Sequence, residues 1–186
     1  MSSKTSLLAA VKELRWKEVA GGLADNPALL RFRDAKGRNW LHLCGSVNLQ
    51  VQPALDAKNS IKVAKVLLES GLDINDAAFR EGSWRATALW YAIAHGRNLP
   101  LATYFLEQDS DPNHCLWAAA FNNDVEAIRV LARYGAEIDP GTDTPFLAAI
   151  HWGRFEAADE LLKLGANVNA QGKLGVTVYG DRKSVV

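Results

Sequence analysis

Four histidines (His42, His95, His114 and His151) and two cysteines (Cys44 and Cys115) are the side chains of this sequence best suited to metal ligation or nucleophilic catalysis. Their spacing supports neither. His42 and Cys44 could be drawn with His114-Cys115 as a zinc set, but the intervals match no zinc pattern. There is no HExxH, no CxxC and no glycine-rich loop able to cradle a phosphate. Asp109-Ser110-Asp111 looks like a fragment of a calcium loop without the frame that completes one. The remaining carboxylates are scattered and read as solvated helix faces. No catalytic residue, metal or cofactor is assigned, and the chain reads as a non-enzyme. What the sequence does bring together is arginine and lysine beside aromatic rings. One run holds Phe32, Arg33, Lys36 and Arg38, and a second holds Phe79, Arg80, Trp84 and Arg85. Arginine and aromatics are the residue types that dominate binding hot spots.

Composition bounds the class of protein that carries these runs. The 186 residues are 48% hydrophobic and 23% charged, a globular balance that fits one domain. No apolar run approaches the roughly 18 residues of a membrane span. The start lacks the apolar stretch of a secretory signal, so a cytoplasmic protein is expected. Two cysteines cannot make a disulfide framework, and both lie in apolar stretches, where they read as buried small hydrophobes. The net charge is +0, which argues against a general phosphate or nucleic-acid binder. That zero hides a gradient: residues 1–45 carry +4, 46–104 carry +1, 105–165 carry −7 and 166–186 carry +2.

Internal repeats organise the chain. Leu67-Leu68-Glu69-Ser70-Gly71-Leu72-Asp73-Ile74-Asn75 recurs as Phe105–Asn113, Val130–Asp139 and Leu161–Asn169. Each reads as the apolar end of a helix, a residue suited to the left-handed position, and a turn into extended chain. Gly71, Gly135 and Gly165 fill that position, with Asp109 as a substitute. A second column precedes each of them: Asn39-Trp40-Leu41-His42, Thr87-Ala88-Leu89-Trp90, His114-Cys115-Leu116-Trp117 and Thr144-Pro145-Phe146-Leu147. Thr caps a helix and Pro suits its first turn. This column resembles the Thr-Pro-Leu-His start of an ankyrin repeat, and the two columns together resemble that family over about residues 6–170.

The resemblance implies an all-α solenoid of stacked helix-turn-helix units with β-hairpin-like finger loops. As one domain it divides into an N-terminal cap unit (1–34), repeats at 35–75, 76–113, 114–139 and 140–170, and a truncated or atypical C-terminal segment (171–186). Repeat starts at 39, 87, 114 and 144 place an insertion at 46–60, where Pro53 breaks any continuous helix. Loop lengths imply two full fingers, a missing third and a shortened fourth. In a stack, sequence order becomes spatial order, so the charge gradient would run along the body.

The family's fold also implies a binding surface. Phe32, Arg33, Lys36 and Arg38 fall in the first finger, and Phe79, Arg80, Trp84 and Arg85 in the second. The ends of the first helices add His95, Phe121, Asn122, His151 and Trp152 on a concave face. The competing reading folds Phe32 and Phe79 back and leaves the cations merely solvated. His42 is expected in an inter-repeat hydrogen-bond network, and His114 at a cap or exposed. Trp16, Trp90 and Trp117 are expected in the core, and Trp84 and Trp152 are candidate contacts. The expected function is capture of a protein or peptide, acidic or partly acidic, with no membrane and no nucleic-acid partner. The alternative is self-association through an uncapped C-terminal end, giving a homo-oligomer; a metal-binding protein or enzyme ranks below both.

Overall fold

The computed structural model describes residues 2–82 and 84–172. They fall into two compact units, Met1–Asp111 and Pro112–Val186. In unit one, α1 (Lys4–Lys12), α3 (Trp40–Gly45) and α5 (Ala88–Tyr91) pack in one row, and α5 continues as a π-helical turn, Ala92–Gly96. α2 (Trp16–Asp25), α4 (Ala57–Glu69) and α6 (Leu99–Glu107) form a second row against it. Polar side chains start these helices by accepting the orphan N–H groups of the first turn: Ser3 for α1, Asn39 for α3, Asp56 for α4, Thr87 for α5 and Asn98 for α6. Their apolar faces are removed from water completely, as at Val63, Ala64, Leu67, Leu101 and Phe105. Within the second row, the Asn98 side-chain amide donates to Ser60 Oγ at 3.0 Å in the core. Cys44 is buried there too, its thiol 3.5 Å from the Ser60 carbonyl. Burial pushes that thiol up to about 12, so it is inert at neutral pH.

The first row is held close by two glycines. A Cβ on Gly96 would sit 2.1 Å from the Gly45 carbonyl oxygen, and one on Gly45 would sit 2.7 Å from the Ala88 carbonyl. α3 and α5 can approach this far only because both positions lack a side chain.

β1 (Ala77–Glu81) and β2 (Trp84–Thr87) form an antiparallel hairpin with Arg80 opposite Arg85 and Glu81 opposite Trp84. The first loop differs from its expected finger and holds no strand among the described residues. Pro27–Arg31 is a 3₁₀ turn, and Asp34 closes a tight loop after it. The Asp34 carboxylate accepts the N–H groups of Lys36 and Arg38, both at 2.9 Å. A short carboxylate-bonded turn therefore stands where a ladder was expected. The insertion also resolves. Ser46 to Asp56 is a run of turns, with Asn48 accepting from the Gln50 and Val51 N–H groups, and residues 57–60 are already the first turn of α4.

Unit two repeats the plan with α7 (Cys115–Phe121) paired to α8 (Val125–Arg133) and α9 (Pro145–His151) paired to α10 (Phe155–Lys163). Thr144 caps α9 and Pro145 is its first residue. His114 does not cap α7. It precedes the helix half-buried, at φ 68°, with no side-chain bond to the first turn. Asn123 instead caps a neighbour, accepting the Ala157 N–H at 3.0 Å and donating to Glu156 at 2.7 Å. Arg129 on α8 clamps Glu160 on α10 through two bonds of 2.8 and 2.9 Å. From residue 173 onward the chain lies outside the described residues, including most of the segment expected as an atypical end.

The turn column has a mechanical role. Asn75 accepts the Asp111 N–H at 2.8 Å and donates to the Asp109 carbonyl at 3.1 Å. Asn113 accepts from Glu137 N–H at 3.1 Å, and Asp139 from Asn167 N–H at 2.8 Å. Each unit thus ties successive turns by a side chain from the end of the preceding one.

Gly96→Ala should lower the unfolding free energy by about 2 kcal/mol, because the backbone it meets cannot yield without separating two helices. Gly21→Ala, where an added carbon meets nothing within 4 Å, should be neutral or stabilising. Urea midpoints of the two variants make the comparison.

Candidate functional site

The site in unit one is built upward from a buried hydrogen-bond network. Asn39 and His42 are 1% exposed. His42 Nε2 donates to the Asp76 carbonyl at 3.1 Å, leaving Nδ1 to accept the Asn39 N–H at 3.2 Å. Asn39 donates its side-chain amide to the Asp76 carboxylate at 3.1 Å. Arg33 reaches the same carboxylate from the first loop and also donates to the Gly37 carbonyl at 3.0 Å. Asp76 therefore fixes both the first loop and the strand that follows it. Gly37, at φ 75°, approaches so closely that an added Cβ would lie 2.2 Å from the Ala78 carbonyl.

These constraints hold the two loops over α5 and its π turn. The result is an open groove of about 820 Å³. Ala35, Lys36 and Arg38 form one wall, and Ala78 and Phe79 the other. Trp90, Tyr91 and His95 make the floor, with Ser46 at one end. The rings are continuous. Phe79 meets Trp84 edge-on at 4.7 Å, and Trp84 meets Trp90 at 5.1 Å. Trp90 contacts His95 at 5.2 Å, and Tyr91 stacks on His95 at 5.4 Å. Tyr91 also meets His42 at 5.5 Å, so the floor rests on the buried network. The wider π turn lets both Trp90 and Tyr91 lie against His95.

The groove has a cationic rim. Lys36 is exposed, and Arg38 lies 5.8 Å from the Tyr91 ring centroid while binding Asp34. Partial burial pushes the Asp34 carboxyl up, but the Arg38 guanidinium and the N–H groups of Arg38 and Lys36 hold it below its ordinary value. His95 is held below its ordinary value by burial, then by the Arg38 and Lys36 charges.

The expected contact residues separate into groups. Lys36, Arg38, Phe79 and His95 line the groove, with Trp84 half-buried behind Phe79. Phe32 folds back, stacking on Trp40 at 4.2 Å with the Lys4 ammonium 4.5 Å above it. Arg33 is committed to Asp76. Arg80 and Arg85 are exposed and directly opposite each other, on the hairpin face away from Trp84 and Phe79. In unit two, Trp117 and Phe121 stack at 5.6 Å, Phe121 meets Trp152 edge-on at 5.2 Å, and His151 meets Trp152 at 5.2 Å. Trp152 is 50% exposed. Arg154 donates to the Phe121 carbonyl at 2.9 Å and supports that ring. Asn122 is half-buried at the end of α7. The floor residues Trp90 and Tyr91 are additions. Trp90, expected in the core, is half-buried at the groove, and half-buried Trp117 likewise belongs to the unit-two cluster.

Among the described residues, no group of three His, Cys, Asp or Glu side chains is placed to hold a metal. None of the described helices is long and apolar enough to cross a membrane.

Repeated helix pairs tied turn to turn define a helical repeat protein. A family model described as ankyrin repeats (3 copies) matches residues 89–172. The solved structure of EF0377, an ankyrin repeat protein, superimposes with a TM-score of 0.68 at 20% identity, covering 98% of this chain and 94% of that one. An ankyrin repeat domain from Acinetobacter baumannii AYE gives a TM-score of 0.70 at 22% identity, covering 98% and 92%. No curated protein matches by sequence. Residues 89–172 match the ankyrin-repeat family model, and the fold is that of an all-α ankyrin-repeat solenoid. Such proteins generally mediate protein–protein interactions and are typically non-enzymatic.

His42 gives the network a pH signature. Burial pulls its pKa down to about 4, against the opposing pull of Asp76. A folded value below the unfolded 6.5 means the stability it supports is complete above 6.5 and is lost as pH falls towards 4. The loss attributable to this ring is about 3 kcal/mol across that window. Urea unfolding should show that slope in the wild type and a shallower one in His42→Gln.

Proposed function

We propose that this chain is a non-catalytic interaction module that holds a segment of a partner protein, acidic or partly acidic, across the unit-one groove. The observation that carries the reading is the groove itself: a continuous floor of half-buried Trp90, buried Tyr91 and exposed His95, bordered by Lys36 and Arg38. Aromatic side chains supply large contact area at low entropy cost, and a cationic rim adds orientation. The exposed Trp152 with Phe121, Asn122 and His151 is a second contact patch of the same kind in unit two. Two buried free cysteines support a reducing, cytoplasmic setting. Affinity capture from source-cell lysate should recover a partner with the wild type. A Lys36→Ala/Phe79→Ala/His95→Ala variant that remains folded should lose it at least tenfold. Equal recovery by both proteins would mean that the groove does not hold the partner.

Self-association is the second reading, favoured by Phe155 at 68% exposure with Leu162 and Leu164 also exposed on and just after α10. Sedimentation of the full chain should then show mass rising with concentration, and Phe155→Asp should return it to monomer. A monomer at every concentration counts against this reading.

A further inference from the structure

Aromatic floors by themselves attract cations. In this groove that role is already filled, because the Arg38 guanidinium lies over Tyr91 and Lys36 stands beside it at the rim. A second cation would meet like charge, whereas a carboxylate would meet the opposite sign. Asp34, the carboxylate acting on this rim, is already bonded to Arg38 through Nε at 2.8 Å and Nη2 at 2.7 Å. The groups facing His95 are few. Its own helix contributes the rings of Trp90 and Tyr91. The first loop contributes the charges of Lys36 and Arg38, with Asp34 behind Arg38 acting on Tyr91. Ser46, Ala78 and Phe79 complete the walls without charge.

We propose that the groove selects a peptide segment carrying a carboxylate next to an apolar side chain, and that His95 takes a proton from solvent as that carboxylate seats. This rests on the reading of the chain as a peptide-binding module. The apolar side chain lies against Phe79 and Trp90, and the carboxylate faces Lys36 and the imidazolium. In the unbound protein the ring resists protonation, first through burial and then through the two cations. A bound carboxylate opposes both cations, so the complex binds more protons than its separated parts. Affinity for an acidic peptide therefore rises as pH falls through the His95 titration. Peptide glutamates stay ionised over that range and do not produce the effect themselves.

The test uses the full chain and the labelled peptides Glu-Leu-Glu-Trp-Glu-Leu, Gln-Leu-Gln-Trp-Gln-Leu and Lys-Leu-Lys-Trp-Lys-Leu. Anisotropy gives affinity, and NMR follows the His95 ring and the Lys36 and Trp90 signals, between about pH 8 and about pH 6. The glutamate peptide should bind more tightly than the glutamine peptide, by roughly 5- to 10-fold at the lower pH and less at the higher. The His95 titration should move upward with the glutamate peptide only, and His95→Gln should flatten the pH dependence. The wild-type ring titration keeps the test decisive if that variant folds poorly. Equal binding of the first two peptides at the groove, a preference for the lysine peptide, or an unmoved His95 titration would each overturn the proposal while leaving a peptide groove in place. No perturbation of Lys36, Trp90 or His95 by any peptide would overturn the proposal and the groove reading together.

Discussion

Unit one depends on one carboxylate and the carbonyl beside it. Asp76 accepts from Asn39, His42 and Arg33, which come from a helix cap, a helix interior and a loop. The bonds are not equal. Arg33 is 44% exposed, and an ion pair at that exposure contributes about 1 kcal/mol or less. Asn39 and His42 are sealed from water, and leaving either polar group unpaired would cost roughly 1–3 kcal/mol. The buried half of the network therefore fixes the strand, and the exposed half fixes the first loop to it.

The groove follows from that arrangement. The loop that carries Lys36 and Arg38 is short and closed by Asp34, and it is pressed against Ala78 at a glycine. The hairpin that carries Phe79 starts at the residue after Asp76. Both walls are thus set by the same few bonds, while the floor is set by α5 packing on α3 through Gly45 and Gly96. A surface whose walls and floor are fixed before a partner arrives loses less entropy on binding. Unit two reaches a comparable end by different means, with Arg154 bracing Phe121 from the neighbouring helix pair.

Much of this was legible in the sequence, and the parts that were not share a cause. The left-handed turns at Gly71, Asp109, Gly135 and Gly165 could be read directly, because so few residues suit that conformation. The Thr144-Pro145 start and the structural role of His42 followed from the repeat column. The direction in which a side chain points did not. Arg80 and Arg85 sit in the same run as Phe79 and Trp84, but strand register sends them to the other face. Arg33 found its partner 43 residues away, a pairing no local pattern announces. Trp90 stands in the motif column that His42 fills in the first repeat, and the sequence alone places it in the core. The π turn after α5 and the neighbouring hairpin leave it at the groove instead, and no sequence signal marks that turn.

Asp76 sets the geometry of the groove from beneath. The most direct measurement is the aromatic carbon–proton NMR spectrum of Asp76→Ala beside the wild type, read at Phe79, Tyr91 and His95. Displaced or broadened signals are expected for all three rings, with the Trp152 ring of unit two unchanged. Unchanged Phe79, Tyr91 and His95 signals in a folded Asp76→Ala protein would contradict this role of Asp76.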